Sequence, residues 1–243
     1  WYRKAADQED AVAQANLGVM YTRGEGIPQD YKEAAKWYRK AADQGHANAQ
    51  YDLGVMYFNG EGVPIDIAET IKWFCMSADQ GNVLAQNALG GIYYTGAGVP
   101  QDYKEAAMWY HIAADQGYAK AQYHLGWMYA HGEGVPKNFE ETLKWWRLAA
   151  LGGYIVAQFT LGEMYYEGNG VPQNDKEAIK WLRLTVERGN MIARDRPNGG
   201  AKYNLGRREL LEGERLICEG DYKEAAKRYR KGADLVMGDL QRE

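Results

Sequence analysis

The sequence predicts an all-α protein: an α/α solenoid of about six helix-turn-helix repeats, the last one degenerate. Three observations predict it. Trp1, Trp37, Trp73, Trp109, Trp145 and Trp181 stand 36 residues apart without a slip. Pro28, Pro64, Pro100, Pro136 and Pro172 keep the same interval, as do Gly18, Gly54, Gly90, Gly126 and Gly162. Within each copy the apolar residues follow a helical period. Length alone would allow one or two globular domains, but an unbroken period argues for one array.

The array divides in order. Residues 1–9 read as the second helix of a truncated repeat, 10–189 as five full repeats, 190–200 as an insertion loop and 201–243 as a degenerate capping repeat. In the copy that starts at Ala47, the stripe Ala49, Leu53, Met56, Tyr57 and Gly60 has the spacing of a first helix. Gly54 stands beside that stripe. It lacks a side chain at a cost of roughly 1 kcal/mol in helix propensity, which predicts close approach of a neighbouring helix.

A Gly-rich turn, NGEGVP in this copy, leads to the second helix. Its start is marked in every copy by Asp or Asn with Glu three residues on: Asp30 and Glu33, Asp66 and Glu69, Asp102 and Glu105, Asn138 and Glu141, Asn174 and Glu177, Asp221 and Glu224. That spacing predicts a capping box, in which each side chain satisfies a backbone N–H of the first turn. The second helix is expected to stop near Gly45, Gly81, Gly117, Gly153 or Gly189. After Gly189, NMIARDRPNGG interrupts the period around Pro197, and AKYNLG restarts a first helix at Ala201. In the last copy Arg228 replaces the periodic tryptophan, and RRELLEGE with KRYRK suits a polar cap.

These residues resemble a known family. The recurring pattern A-x-A-Q-x-x-L-G-x-M-Y-x-x-G-x-G-V-P-x-D-x-x-x-A-x-x-W-Y-x-x-A-A-D-x-G is similar to the Sel-one-like repeat (SLR), a relative of the tetratricopeptide repeat, over residues 1 to about 190. The resemblance implies a right-handed superhelix with first helices lining a concave face. It also implies an adaptor or scaffold role in bacteria, in envelope or secreted proteins or in immunity proteins that neutralise toxic effectors. A periplasmic or secreted location is implied only in that way.

Composition excludes several function classes. A formal charge of −4 and a pI near 5.7 leave no basic stripe for phosphate backbones, so nucleic acid is not an expected partner. Mean hydropathy is −0.61 and no apolar run is long enough for membrane insertion. Cys75 and Cys218 occupy non-equivalent positions, so no disulfide framework is visible, and Cys75, in the place of Arg39, suggests an exposed thiol. The chain opens inside a repeat, which leads us to expect further sequence before it. A monomer is expected.

Catalytic motifs are absent, and no cofactor is expected. Ser77 is the single serine, and Ala41, Ala113, Ala149 and Thr185 stand at its place in other copies, as at a packing position. One branch of the family has been linked to β-lactamase-like hydrolysis, but it carries paired cysteines in each repeat, and this chain does not. His111, His124 and His131 fall in one stretch without the further ligands that zinc needs, so no metal is assigned.

The binding signal lies in positions that vary while the period holds. On a helical wheel of the first helices, conserved-in-repeat residues fill one arc, and the opposite arc changes: Val19, Thr22 and Arg23, then Val55, Phe58 and Asn59, Gly91, Tyr94 and Thr95, Trp127, Ala130 and His131, and Glu163, Tyr166 and Glu167. Tyr51, Tyr123 and Phe159 share one place and are expected to fill gaps between repeats. The candidate partner-binding residues are therefore Tyr94, Trp127, Phe58, Tyr166, Arg23, His131, Glu163 and Glu167. Trp and Tyr are the types enriched at binding hot spots, and the two glutamates would suit a toxin's cationic site. A protein partner in the groove is the leading expectation, an immunity function the alternative, and a hydrolase the remote one.

Overall fold

The structure is a computed structural model and describes residues 2–194 and 200–240. Among them are thirteen α-helices and no strand. The chain divides into two compact units. Unit 1, residues 1–116 and 133–136, holds α1 (Tyr2–Ala6), α2 (Ala11–Arg23), α3 (Tyr31–Asp43), α4 (Ala47–Asn59), α5 (Ile67–Asp79), α6 (Val83–Thr95) and α7 (Tyr103–Asp115). Unit 2, residues 117–132 and 137–243, holds α8 (Ala119–His131), α9 (Phe139–Leu151), α10 (Ile155–Glu167), α11 (Asp175–Arg194), α12 (Gly200–Cys218) and α13 (Tyr222–Leu240). In both, first and second helices of a repeat pack as pairs, and each second helix packs on the next first helix of its unit.

The turn chemistry follows the glycines. α2 ends on Gly24 at φ 71, and its N–H donates to Met20 O. A left-handed residue there stops the helix without a Cβ penalty. Asp30, Asp66, Asp102, Asn138, Asn174 and Asp221 then cap the second helices, each accepting from the backbone N–H three residues on at 3.0–3.2 Å. The return arm of the capping box does not form. The N–H of Asp30 already donates to Tyr21 O, that of Asp66 to Tyr57 O and that of Asp102 to Tyr93 O. The glutamates turn outward instead, Glu33 to Lys36, Glu69 to Lys72 and Glu141 to Lys144.

The helical glycines serve the close approach expected of them, against the second helix of their own repeat. A Cβ on Gly18 would stand 2.6 Å from the Tyr38 ring, on Gly54 2.6 Å from Phe74 and on Gly90 2.7 Å from Tyr110. Trp146 and Leu182 lie over Gly126 and Gly162 in the same way. Around these contacts sit Ala34, Ala41, Leu53 and Leu89 in unit 1, and Leu125, Leu161, Ala178 and Leu182 in unit 2, none measurably exposed. Trp37, Trp73, Trp145 and Trp181 are buried in this core, and Trp109 is half-buried against it.

A buried glutamine ties the repeats of unit 1 together. Gln50 donates to Ala42 O of the preceding repeat at 3.1 Å, and its own Oε1 accepts from Gln80 at 2.8 Å. Gln14 with Gln44, and Gln86 with Gln116, repeat the arrangement. In unit 2 Arg188 stands where Gln44 stands in unit 1, and the buried Oε1 of Gln158 has no donor. Arginines add a second tie: Arg39 donates to Tyr57 and Arg147 to Tyr165 of the next first helix. Cys75, at the same place, is half-buried beside Tyr93 rather than exposed, and burial pushes its thiol up.

The end of unit 2 departs from expectation. α11 does not stop at Gly189 but runs on to Arg194, so residues 190–194 are helix rather than loop. Gly189 stays helical because α13 crosses there: Val236 occupies the space its Cβ would take. α12 starts at Gly200, and residues 195–199, with Pro197, lie outside the described residues. The glycine beneath Tyr229 is Gly213, not the Gly206 of the restarted motif, because only Glu219–Asp221 connect α12 to α13. Glu209 thereby takes the place of the buried glutamine. It pairs with Lys231 at 2.7 Å and with Arg228, the residue in the tryptophan's place, at 3.4 Å. Tyr229 is fully buried, which pushes its hydroxyl up to about 12.

Candidate partner-binding surface

The changing arc of the first helices mixes exposed residues with others packed against the core, among them Val19, Val55, Ala130 and Tyr166. In unit 1 it carries Arg23, Phe58 and Tyr94. Arg23 ends α2, exposed, with a loose ion pair to Glu25 at 3.4 Å. Phe58 ends α4 and is 40% exposed, an aromatic ring without core duty. Tyr94 is less available than its place on the wheel implies. Its hydroxyl donates to Glu133 Oε2 at 3.0 Å, and its ring lies 5.4 Å from Tyr103 at a tilt of 60°. Tyr51, at the place assigned to gap filling, stacks on Phe74 at 5.5 Å.

In unit 2 the arc gathers its residues into two groups. Trp127 on α8 is 38% exposed, unlike the buried periodic tryptophans. His131, one turn on, stacks on it at 4.1 Å, and its Nδ1 donates to Trp127 O at 2.9 Å. The pair is a preformed aromatic platform. On α10, Glu163, Tyr166 and Glu167 meet at one residue that sequence reading passed over as part of a polar cap. Arg230 of α13 donates from Nη2 to Glu163 at 2.7 Å and to Glu167 at 3.0 Å, and its guanidinium lies 4.8 Å above the Tyr166 ring. Burial raises the Glu163 carboxyl, with Arg230 acting against that. Glu163 thus faces an internal cation, whereas Glu167 stays exposed and divides its oxygens between Arg230 and Asn169. Tyr123 stacks on Trp146 of its own repeat at 5.9 Å, so this contact lies within a repeat rather than in a gap between repeats, and Phe159 packs against the core.

Two ionisable groups sit at one repeat position just beside the arc. Burial pushes Asp52 of α4 up to about 6, moderated by Arg23. Burial, then Lys120, depresses His124 of α8 to about 4, so its ring is neutral near pH 7. His111 instead lies 2.9 Å from Asp115 on the exposed side of α7. Among the described residues no group of three or more His, Cys, Asp or Glu side chains could hold one metal ion. Ser77 is fully buried and its Oγ donates to Ala47 O at 2.7 Å, the geometry of a packing residue. No helix among the described residues is long and apolar enough to cross a membrane.

With this geometry in place, comparison with known proteins identifies the repeat. The Sel1 repeat model matches residues 1–10, 11–46, 47–82, 83–118, 119–154, 155–190 and 200–236. The chain belongs to the Sel1 repeat family. Among solved structures, a protective antigen of uropathogenic Escherichia coli strains that displays an SLR fold is similar at 37% identity and TM-score 0.78, over 96% of this chain and 47% of that one. The present chain therefore spans about half the length of that relative. A Sel1 repeat protein of Oxalobacter formigenes matches at 33% identity and TM-score 0.72, over 93% of this chain and 87% of its own. An immunity protein of Pseudomonas aeruginosa shares the fold alone, at 24% identity and TM-score 0.50, over 76% of this chain and 71% of its own. A comparison with curated proteins finds no match. Sel1 repeats are a scaffold fold that generally mediates protein interactions, and their members are typically not enzymes.

Proposed function

We propose that this Sel1 repeat chain is a scaffold that binds a protein partner through the changing arc of its first helices. The observation that carries the reading is Trp127, exposed and stacked on His131 while Trp37, Trp73, Trp145 and Trp181 are buried. A large rigid side chain left at the surface buries much area on binding with few rotors to freeze. Phe58 supplies the corresponding exposed ring in unit 1. Immunity-type binding is the narrower alternative. Its acidic support, Glu163 and Glu167, is already engaged by Arg230, so charge alone does not favour it.

The test is retention of partners from the source cells by the wild-type chain beside a Phe58→Ala/Trp127→Ala variant. The reading expects a discrete protein retained by the wild type and lost by a variant that is still folded. Equal retention by both would move binding off this arc.

A further inference from the structure

The engagement of Glu163, Glu167 and Tyr166 by Arg230 is peculiar to the last repeat. Arg39 and Arg147, at the same repeat position, reach forward to a tyrosine of the next first helix. Arg230 reaches back, from α13 to α10, across 67 residues of sequence to Glu163. Its grip is partial. A single nitrogen serves both carboxylates, Glu163 Oε1 is buried without a donor, and Asp234 adds a third carboxylate close by. The other charges around the guanidinium are thus Glu163 and Glu167 from α10 and Asp234 from its own helix. The remaining support of α13 lies elsewhere: Val236 over Gly189, Val186 against Gly232, the buried Tyr229 on Gly213, and the pairs of Arg228 and Lys231 with Glu209.

We propose that Arg230 is an autoinhibitory latch, whose side chain lies over the acidic and aromatic end of the unit 2 arc and withholds Glu163 and the ring face of Tyr166 from a partner until it is displaced. The inference rests on the reading of that arc as a binding surface. Release would uncover the Glu163 carboxylate and a phenol ring beside the exposed Glu167, a seat suited to a cationic segment. The latch is built from a half-exposed ion pair and one ring face, so added salt weakens it while leaving the Val236 and Val186 packing in place.

The test uses the full chain and needs no partner. Arg230→Met keeps an aliphatic stem over Tyr166 and removes the charge. Carboxyl groups are coupled to an amine by carbodiimide and read by mass spectrometry, with the exposed Glu140 as control. Labelling of Glu163 should rise about five-fold in the variant, the already exposed Glu167 and Glu140 should change little, and amide exchange in α13 and α9 should stay within about two-fold. Unchanged labelling in a folded variant would overturn the latch, as would exchange quickened uniformly through unit 2. Should the variant aggregate, the wild type carried from about 0.05 M to about 0.5 M NaCl must show the same selective rise, and its absence would equally overturn the latch. Failure of the arc as a binding surface would appear instead in the Phe58 and Trp127 comparison and leave these readouts untouched.

Discussion

Trp73 and Trp127 separate two uses of one residue type. Trp73 is 3% exposed and Trp127 38%, so truncation to alanine should cost about 3–5 kcal/mol at the first and under about 1 kcal/mol at the second. Denaturant unfolding of the two variants checks this, and equal losses would contradict it. Asp52 and His124 give a matched pair of pH effects. The folded pKa of Asp52, about 6, lies above the usual value near 4, so the folded state holds the extra proton between those limits. Its contribution to stability is therefore full at low pH and lost as pH rises to about 6. His124 is depressed to about 4, so its contribution is full above about 6.5 and lost as pH falls toward 4. The two slopes oppose each other. Asp52→Asn should raise stability at pH 7 by on the order of 1–2 kcal/mol and leave a melting temperature that climbs with pH between about 4 and 6.5. His124→Gln should leave one that falls across the same window, and thermal melts over pH would show either sign.

At the scale of the helix, the sequence was legible where the partner of a group is local. Asp102 caps α7 by a bond to the N–H three residues on, and its spacing to Glu105 announced it. The return bond from Glu105 was not legible, because the N–H it would have met is taken by Tyr93 O from the preceding helix. Asp102→Ala should accordingly cost about 1 kcal/mol and Glu105→Gln under about 0.5 kcal/mol, measured by chemical unfolding. A capping box closed in solution would make the two costs comparable. Gly189 misled for a related reason: a glycine can end a helix or admit another one, and only the presence of Val236 decides. Among the arc residues the wheel placed Trp127 and Phe58 correctly at the surface. It could not see Glu133 bonding to Tyr94, which comes 39 residues later, or Arg230 closing on Glu163, which comes 67 later.

Across the whole molecule the period foretold the repeat because, within each unit, each copy packs on its neighbours in sequence. Damage should follow the same rule. Gly90→Ala gains about 1 kcal/mol of helix propensity but drives a Cβ to 2.7 Å from Tyr110, for a net loss of about 1–3 kcal/mol. Hydrogen exchange in unit 1 of that variant should quicken most in α6 and α7, then α5, and least in α2. A uniform increase would mean that unit 1 melts as one block. The glycine under each second helix has a further consequence. Its partner is Tyr38, Phe74, Tyr110, Trp146 or Leu182, so the volume needed to seat one helix on another is supplied from outside the changing arc. Substitutions at the exposed arc positions Phe58 and Trp127 leave that joint alone, whereas Val19, Thr22 and Val55 lie against it. A lineage built this way can exchange one partner for another by successive substitutions at those exposed positions without passing through an unfolded ancestor.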